Sequence, residues 1–233
     1  DRIIIILKKF VSYKTHTLRK KTTMLFSLPP QVLIILIFCL IFALTFHEFG
    51  HAYVAHICGD DTAKEKGRMS LNPFVHLDLM GSLMLLMAGF GYAKPVPVNP
   101  KNYRIRNSDF YIASAGPLMN LVLGIGATLL FSFLAKSNLS TLAGFPMLEL
   151  LYLFTFINFN LFIFNLIPLG PLDGNAVLPH FLPTKLKIQF KYWNSRFGSQ
   201  VLIGLVGLSI FLPGFSAFSW ITHISKKMIN ALL

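Results

Sequence analysis

The stretch VLIILIFCLIFALTFHEFGH, from Val32 to His51, decides the fold. Val32–Phe46 is almost wholly apolar, and it runs directly into Phe46-His47-Glu48-Phe49-Gly50-His51. A His-Glu-x-x-His element therefore closes an apolar run instead of lying on a polar surface. Continued to Ile57, the run exceeds the ~20 residues a helix needs to cross a bilayer. Pro29-Pro30 suits a first helical turn, and Gly59-Asp60-Asp61 supplies the stop. Positions four apart on a helix differ by ~40° in azimuth and ~6 Å in rise. His47 and His51 can thus offer two imidazoles to one metal ion, with Glu48 beside them as a general base. Imidazole and carboxylate groups are costly within a spanning segment, so a function is the default reading.

Composition agrees. The chain has 233 residues, 54% of them hydrophobic, with 23 Phe. This predicts an all-α polytopic membrane protein, a helical bundle with one small re-entrant β/loop segment, in one domain or one domain plus an appendage. The net charge of +12 would suggest nucleic acid on a soluble protein. Here seven of the 21 Lys and Arg lie within residues 1–23, and the remainder carries +6, mostly between apolar runs. That is the positive-inside pattern, and it argues against a nucleic-acid partner. Cys39 and Cys58 give neither a disulfide framework nor a Cys-x-x-Cys metal spacing.

Residues 1–23 hold no apolar run longer than Ile3–Leu7, too short for a signal peptide. They read as a flexible basic arm, or as an upstream extension ahead of Met24, with residues 24–233 as the functional domain. Leu79–Tyr92 is apolar but below spanning length, and Lys or Arg flank it on both sides. It is expected to dip in and return, or to lie at the interface. The proline-rich segment that follows, Gly91–Val98, is expected to be extended. Phe110–Ala135 and Phe145–Ile167 are further spans. Asn120, within the first of these, reads as an interhelical hydrogen bond ahead of any catalytic role. The second breaks at Pro168–Gly174, and broken backbone at membrane depth must be covered by protein or a polar cavity, which turns Asp173 inward. Pro183–Gln200 carries four basic residues and reads as a cytoplasmic loop. Val201–Leu212 and Phe215–Ile224 form either one kinked span or a hairpin. With a start near Met24, the internal loop charges put the His pair and Asp173 at the same, cytoplasmic depth.

A catalytic zinc takes three protein ligands and one exchangeable position. The third ligand could come from Asp173, Cys58, His56, His180 or Asp78, and Asp173 has the best warrant from its depth. His16, His76, His180 and His223 have no partner at metal spacing and read as ordinary surface or interfacial residues. With a metal to activate water, Glu48 would shuttle the proton during attack on a peptide carbonyl. Asn165 could donate to an oxyanion, though spacing alone favours a hydrogen bond between helices.

His47–Ala52, Gly67–Pro73, Gly91–Asn99, Ala115–Asn120 and Asn165–Gly174 together resemble the site-2 protease family of intramembrane zinc metalloproteases, in a short form without PDZ or CBS domains. The resemblance implies one zinc held by His47, His51 and Asp173, with Glu48 as catalytic base and Asn165 assisting. It further implies that Gly91, Tyr92, Ala93, Lys94, Pro95 and Val96 form an edge that binds an unwound substrate. The substrates would be membrane proteins with single transmembrane helices. The enzyme would be an integral, multi-pass protein of a bacterial cell membrane, its active site toward the cytoplasm. A metal transporter and a catalytically silent helix-binding scaffold are the alternatives. The first predicts His and acidic residues spread along several spans, and the second is disfavoured by an intact Glu48.

Overall fold

A computed structural model of the chain describes residues 29–81, 91–137, 146–212 and 214–233. The basic arm lies outside the described residues, as does most of the apolar run 79–92. Three described helices are long and apolar enough to cross a membrane: α1 (Pro30–Ile57), α3 (Ser108–Lys136) and α4 (Met147–Asn165). Between the first two lies a short helix, α2 (Thr62–Glu65). Beyond α4 come α5 (Gly174–Val177), α6 (Thr184–Trp193), α7 (Ser199–Phe211) and α8 (Ser219–Leu232).

The start and stop signals of α1 act as the sequence suggests. Pro30 takes the first turn, where its missing N–H costs nothing. At the other end Gly59 adopts φ +95°, a conformation open to glycine at little cost. Gly59 N–H then donates to His56 and Asp60 N–H to Ala55, which is the paired-carbonyl closure of a Schellman motif. The motif helix is thus stopped about two turns beyond His51.

α1, α3 and α4 pack together as an antiparallel trio. Ala43 and Asn120 meet at one level, and His51 reaches Ile112 at the next, so α1 and α3 run in opposite senses. Small residues bring the backbones close. A Cβ on Gly50 would sit 3.0 Å from the Ala115 carbonyl oxygen, and one on Gly124 would sit 2.5 Å from the Phe159 ring. Cys39, Ala43, Leu153 and Ile157 fill the α1–α4 seam, and Ala127, Phe131, Leu148 and Leu151 fill the α3–α4 seam. Ile34, Phe38 and Phe42 stay exposed along one side of α1, as do Val122, Leu129 and Phe133 on α3. In lipid such faces need no polar cover, and close packing of small residues replaces the hydrophobic effect as the force between helices.

Two regions differ from the sequence expectation. Residues 183–200 are not a loop: α6 continues through a π-turn (Asn194–Gly198) directly into α7. The four basic residues that suggested a loop are equally compatible with an exposed helix, and no proline interrupts the stretch after Pro183. The segment after it is two helices, α7 and α8, separated around Gly214. Residues 91–98 are extended, as expected, but their β character among the described residues is a single antiparallel bridge between Leu77 and Ala93.

Candidate metal centre

α1 and the turn that follows α4 supply one cluster, and α3 packs against it. α1 carries His47 and His51 one turn apart, both buried. The chain that leaves α4 turns back at once, because Gly174 packs onto the carbonyls just past the end of that helix. A Cβ there would lie 2.3 Å from the Leu166 oxygen and 2.5 Å from that of Ile167. This turn delivers Asp173, whose carboxylate does not cap α5 but faces the two imidazoles. Asp173 Oδ2 lies 3.2 Å from His47 Nε2, and Oδ1 lies 3.3 Å from His51 Nε2. The two Nε2 atoms are 3.1 Å apart.

The tautomers follow from the partners of Nδ1. Asn120 donates through Nδ2 to the Ala43 carbonyl at 3.1 Å and to Asn158 Oδ1 at 2.9 Å. Its Oδ1 is therefore the atom that faces His47 Nδ1 at 2.6 Å, and it must accept. His51 Nδ1 likewise donates to the Ile112 carbonyl at 2.7 Å. With both Nδ1 atoms protonated, both neutral rings turn bare lone pairs toward Asp173. Asp173 Oδ2 is buried without a hydrogen-bond partner even though His47 Nε2 is close. With both rings neutral, two nitrogen lone pairs and a carboxylate converge. Such a set repels itself unless a proton or a metal ion sits in its middle.

The spacing fits zinc. Ligand atoms ~2.1 Å from a tetrahedral ion lie about 3.4 Å from one another, close to the three separations above. Three protein ligands leave one open position, the mark of a catalytic site. Gly116 of α3 forms the wall of this space: a Cβ there would lie 2.3 Å from His51 Nε2 and 2.6 Å from His47 Nε2.

Glu48 is 9% exposed and makes no hydrogen bond or ion pair among the described residues. Asn165, the last residue of α4, donates to the Leu161 carbonyl of its own helix at 3.0 Å. The other candidates for third ligand are engaged elsewhere. His56 pairs with Asp61 at 2.5 Å, and Cys58 packs with Ala55 and Ile112. Asp78 accepts from the Gly81 N–H, and His180 pairs with Asp109 at 3.2 Å. His76 is no surface residue: it is buried, its Nε2–H donates to the Ser70 carbonyl, and its own carbonyl accepts from Lys94. Asn120 does bond between helices, as expected, yet its partner is a metal-ligand candidate. Asn158, which completes that contact from behind, escapes a reading of the sequence. Its only signal there is a place on the same helix face as Thr155 and Leu151.

The extended segment is tied along one edge. Lys94 N–H donates to the His76 carbonyl, and Arg68 donates to the carbonyls of Lys94 at 2.5 Å and Pro95 at 3.2 Å. Ala93 N–H and C=O have no partner among the described residues. Ala93 and Tyr92 line a cavity of about 700 Å³ that also touches Ile41 and Leu44 of α1 and Leu161 of α4.

The model of peptidase family M50 matches residues 35–143 and 134–205. The chain is 39% identical over 158 residues to "Putative zinc metalloprotease YwhC" of Bacillus subtilis, covering 66% of this chain and 72% of that one. It is 29% identical over 193 residues to "Zinc metalloprotease MJ0392" of Methanocaldococcus jannaschii, covering 80% of this chain and 47% of the relative. The chain thus spans about half the length of the latter. No solved structure matches.

Proposed function

The chain belongs to peptidase family M50, and from that premise we propose that it cleaves membrane-embedded segments of other proteins, His47, His51 and Asp173 holding one zinc ion. The observation that carries this reading is the convergence of His47, His51 and Asp173, with ligand atoms within 4.8 Å of one another, between α1 and the turn that follows α4. Zinc, when bound, polarises a carbonyl and makes water acidic enough to yield its proton near neutral pH. Glu48 is a carboxylate with no competing partner among the described residues, next to His47 on the helix. It takes the proton from the attacking water and returns it to the leaving amine. Asn165 keeps one amide N–H on the Leu161 carbonyl and has a second to offer an oxyanion.

The substrate enters as an extended strand. Gly91, Tyr92, Ala93, Lys94, Pro95 and Val96 are held on one edge by the 68–77 segment, and the N–H and C=O of Ala93, unpartnered among the described residues, support pairing on the other. The apolar cavity beside them suits the side chains of an unwound transmembrane helix, and single-span membrane proteins are the substrate class. Basic residues gather where α1 ends and α3 begins, at Lys64, Lys66, Arg68, Lys94, Lys101, Arg104 and Arg106. This supports an active site toward the cytoplasm of a bacterial cell. Residues 24–233 make up the protease domain, with 1–23 as an appended arm.

The test is cleavage of a panel of single-span substrates by purified protein in lipid, with zinc content measured beside it. Glu48→Gln is expected to lose about 10²–10⁴-fold in rate with zinc retained. Equal processing by wild type and variant would refute the mechanism.

A further inference from the structure

We infer that Asn194 is a positioning residue for Asp173, acting on both sides of it through Gly170 and Asn175. The inference rests on the metal reading above. Asn194 opens the π-turn between α6 and α7 and is 3% exposed. Its Oδ1 accepts from the Gly170 N–H at 3.1 Å. Its Nδ2 donates to Asn175 Oδ1 and reaches the Pro168 carbonyl at 3.5 Å. The whole hydrogen-bonding capacity seen for this buried amide is thus committed to the turn that carries Asp173, 19 to 26 residues earlier in the chain.

The surroundings are built for that contact. A Cβ on Gly198 would lie 1.8 Å from Asn194 Oδ1 and 3.0 Å from the Gly170 nitrogen, so glycine is needed one turn on for the amide to reach the loop. A π-turn inserts a residue into an α-helix, re-aims the side chains on either side of it, and recurs at functional sites. Here it turns an amide, and no apolar side chain, toward the 168–175 segment. A helix that merely docked beside that segment would need no such group. Asp173 itself is held by few other contacts, since its carboxylate faces the imidazoles and its carbonyl accepts from Ala176 and Val177. Fixing Gly170 and Asn175 fixes where the carboxylate points, and outer partners of metal ligands of this kind typically change metal affinity 10–100-fold.

The experiment uses the full chain in detergent. Zinc affinity is measured by chelator competition, and the visible spectrum is recorded after cobalt(II) replaces zinc. Asn194→Leu is expected to weaken zinc binding about 10–100-fold and to shift the cobalt bands, because the third ligand no longer has a fixed direction. Asn194→Asp keeps the acceptor for Gly170, and Asn175 can rotate its amide to donate, so this variant is expected to recover most of the affinity. A purely structural role would lower the unfolding temperature and leave the cobalt bands of the folded fraction unchanged. Should Asn194→Leu not fold, Asn175→Ala decides, with a smaller loss of the same kind expected. Wild-type affinity and spectrum in Asn194→Leu, or in Asn175→Ala, would overturn the inference. His47→Ala separates the two levels: if it too leaves zinc binding unchanged, the metal reading itself has failed, and if it abolishes binding, only the role of Asn194 has.

Discussion

His47 Nδ1 lies 2.6 Å from Asn120 Oδ1, and the Asn120 amide is locked in that orientation by Ala43 and Asn158. This chain of contacts across α1, α3 and α4 decides which ring nitrogen is free for a metal. Asn120→Leu removes the acceptor and leaves the His47 N–H and Asn158 Oδ1 buried without partners. Zinc affinity is expected to fall about 10–100-fold, with a stability loss of roughly 1–3 kcal/mol. Asn120→Asp keeps an acceptor for His47 and should hold zinc better than the leucine variant. Chelator competition on the three proteins checks this, and leucine binding as tightly as asparagine would remove Asn120 from the account.

Gly116 faces the opposite, Nε2 side of the two imidazoles. Its missing side chain leaves the space that a Cβ would fill at 2.3 Å from His51 Nε2, closer than any nonbonded carbon can stand. Gly116→Ala is therefore expected to abolish zinc binding and cleavage together. Gly126 lies on the same helix, and a Cβ added there would meet nothing within 4 Å. There the alanine variant should retain activity and gain up to ~1 kcal/mol from helix propensity. If both variants keep their zinc, the Gly116 wall is not where α3 meets the site.

The two halves of this site differ in how far sequence alone could reach. His47, Glu48 and His51 depend on one helical turn, and Asp173 on a proline- and glycine-broken end at matching depth, so spacing and hydropathy single them out as candidates, and His47, His51 and Asp173 do lie together. Asn120 is visible as a polar residue in a span, but whether it bonds to a backbone carbonyl or to a ligand depends on the register of α1 against α3. That register is set by Gly50 and Gly116, whose packing has no periodic signature. His76 shows the same limit: its neighbours Ser70 and Lys94 come together only when the 68–77 segment folds onto 91–96. Residues 184–211 fail for another reason. Lys185, Lys187, Lys191 and Arg196 report which side of the membrane the segment prefers, and charge of that kind says nothing about whether the backbone is helical.

Asp60 gives the protein a pH dependence outside the spans. It is fully buried, and it accepts from Thr62 N–H and Oγ1–H, from Asn102 Nδ2 and from the Asn99 N–H. Burial alone would raise its pKa, but these donors outweigh burial and hold it below the ordinary carboxylate value. A carboxyl depressed in the folded state stabilises it fully above the unfolded pKa, near 4, and that contribution is lost as pH falls through the folded value. Asp60→Asn should cost about 1–3 kcal/mol at neutral pH, a gap that narrows below about pH 4. Thermal unfolding at several pH values measures it. A gap of constant size down to about pH 3 would show that the charge is not what these donors hold.

Arg68 tests the proposed pairing of substrate with the 91–96 segment. It is 6% exposed, with no carboxylate partner among the described residues, and its guanidinium is turned onto the carbonyls of Lys94 and Pro95. Those bonds hold one edge of the extended segment, so that Ala93 is presented to the cavity on the other. Arg68→Met keeps much of the apolar stem and removes the donors. Hydrogen bonds from a charged group are worth roughly 1.5–3 kcal/mol, which corresponds to a loss of about 10–100-fold where the interaction serves binding. The loss is expected in KM, with kcat and zinc content close to wild type, because nothing in Arg68 touches His47, His51 or Asp173. Lys at this position should not rescue, since a single ammonium cannot span two carbonyls in a fixed fork. A fall in kcat at unchanged KM would instead tie Arg68 to the chemistry and detach it from the strand.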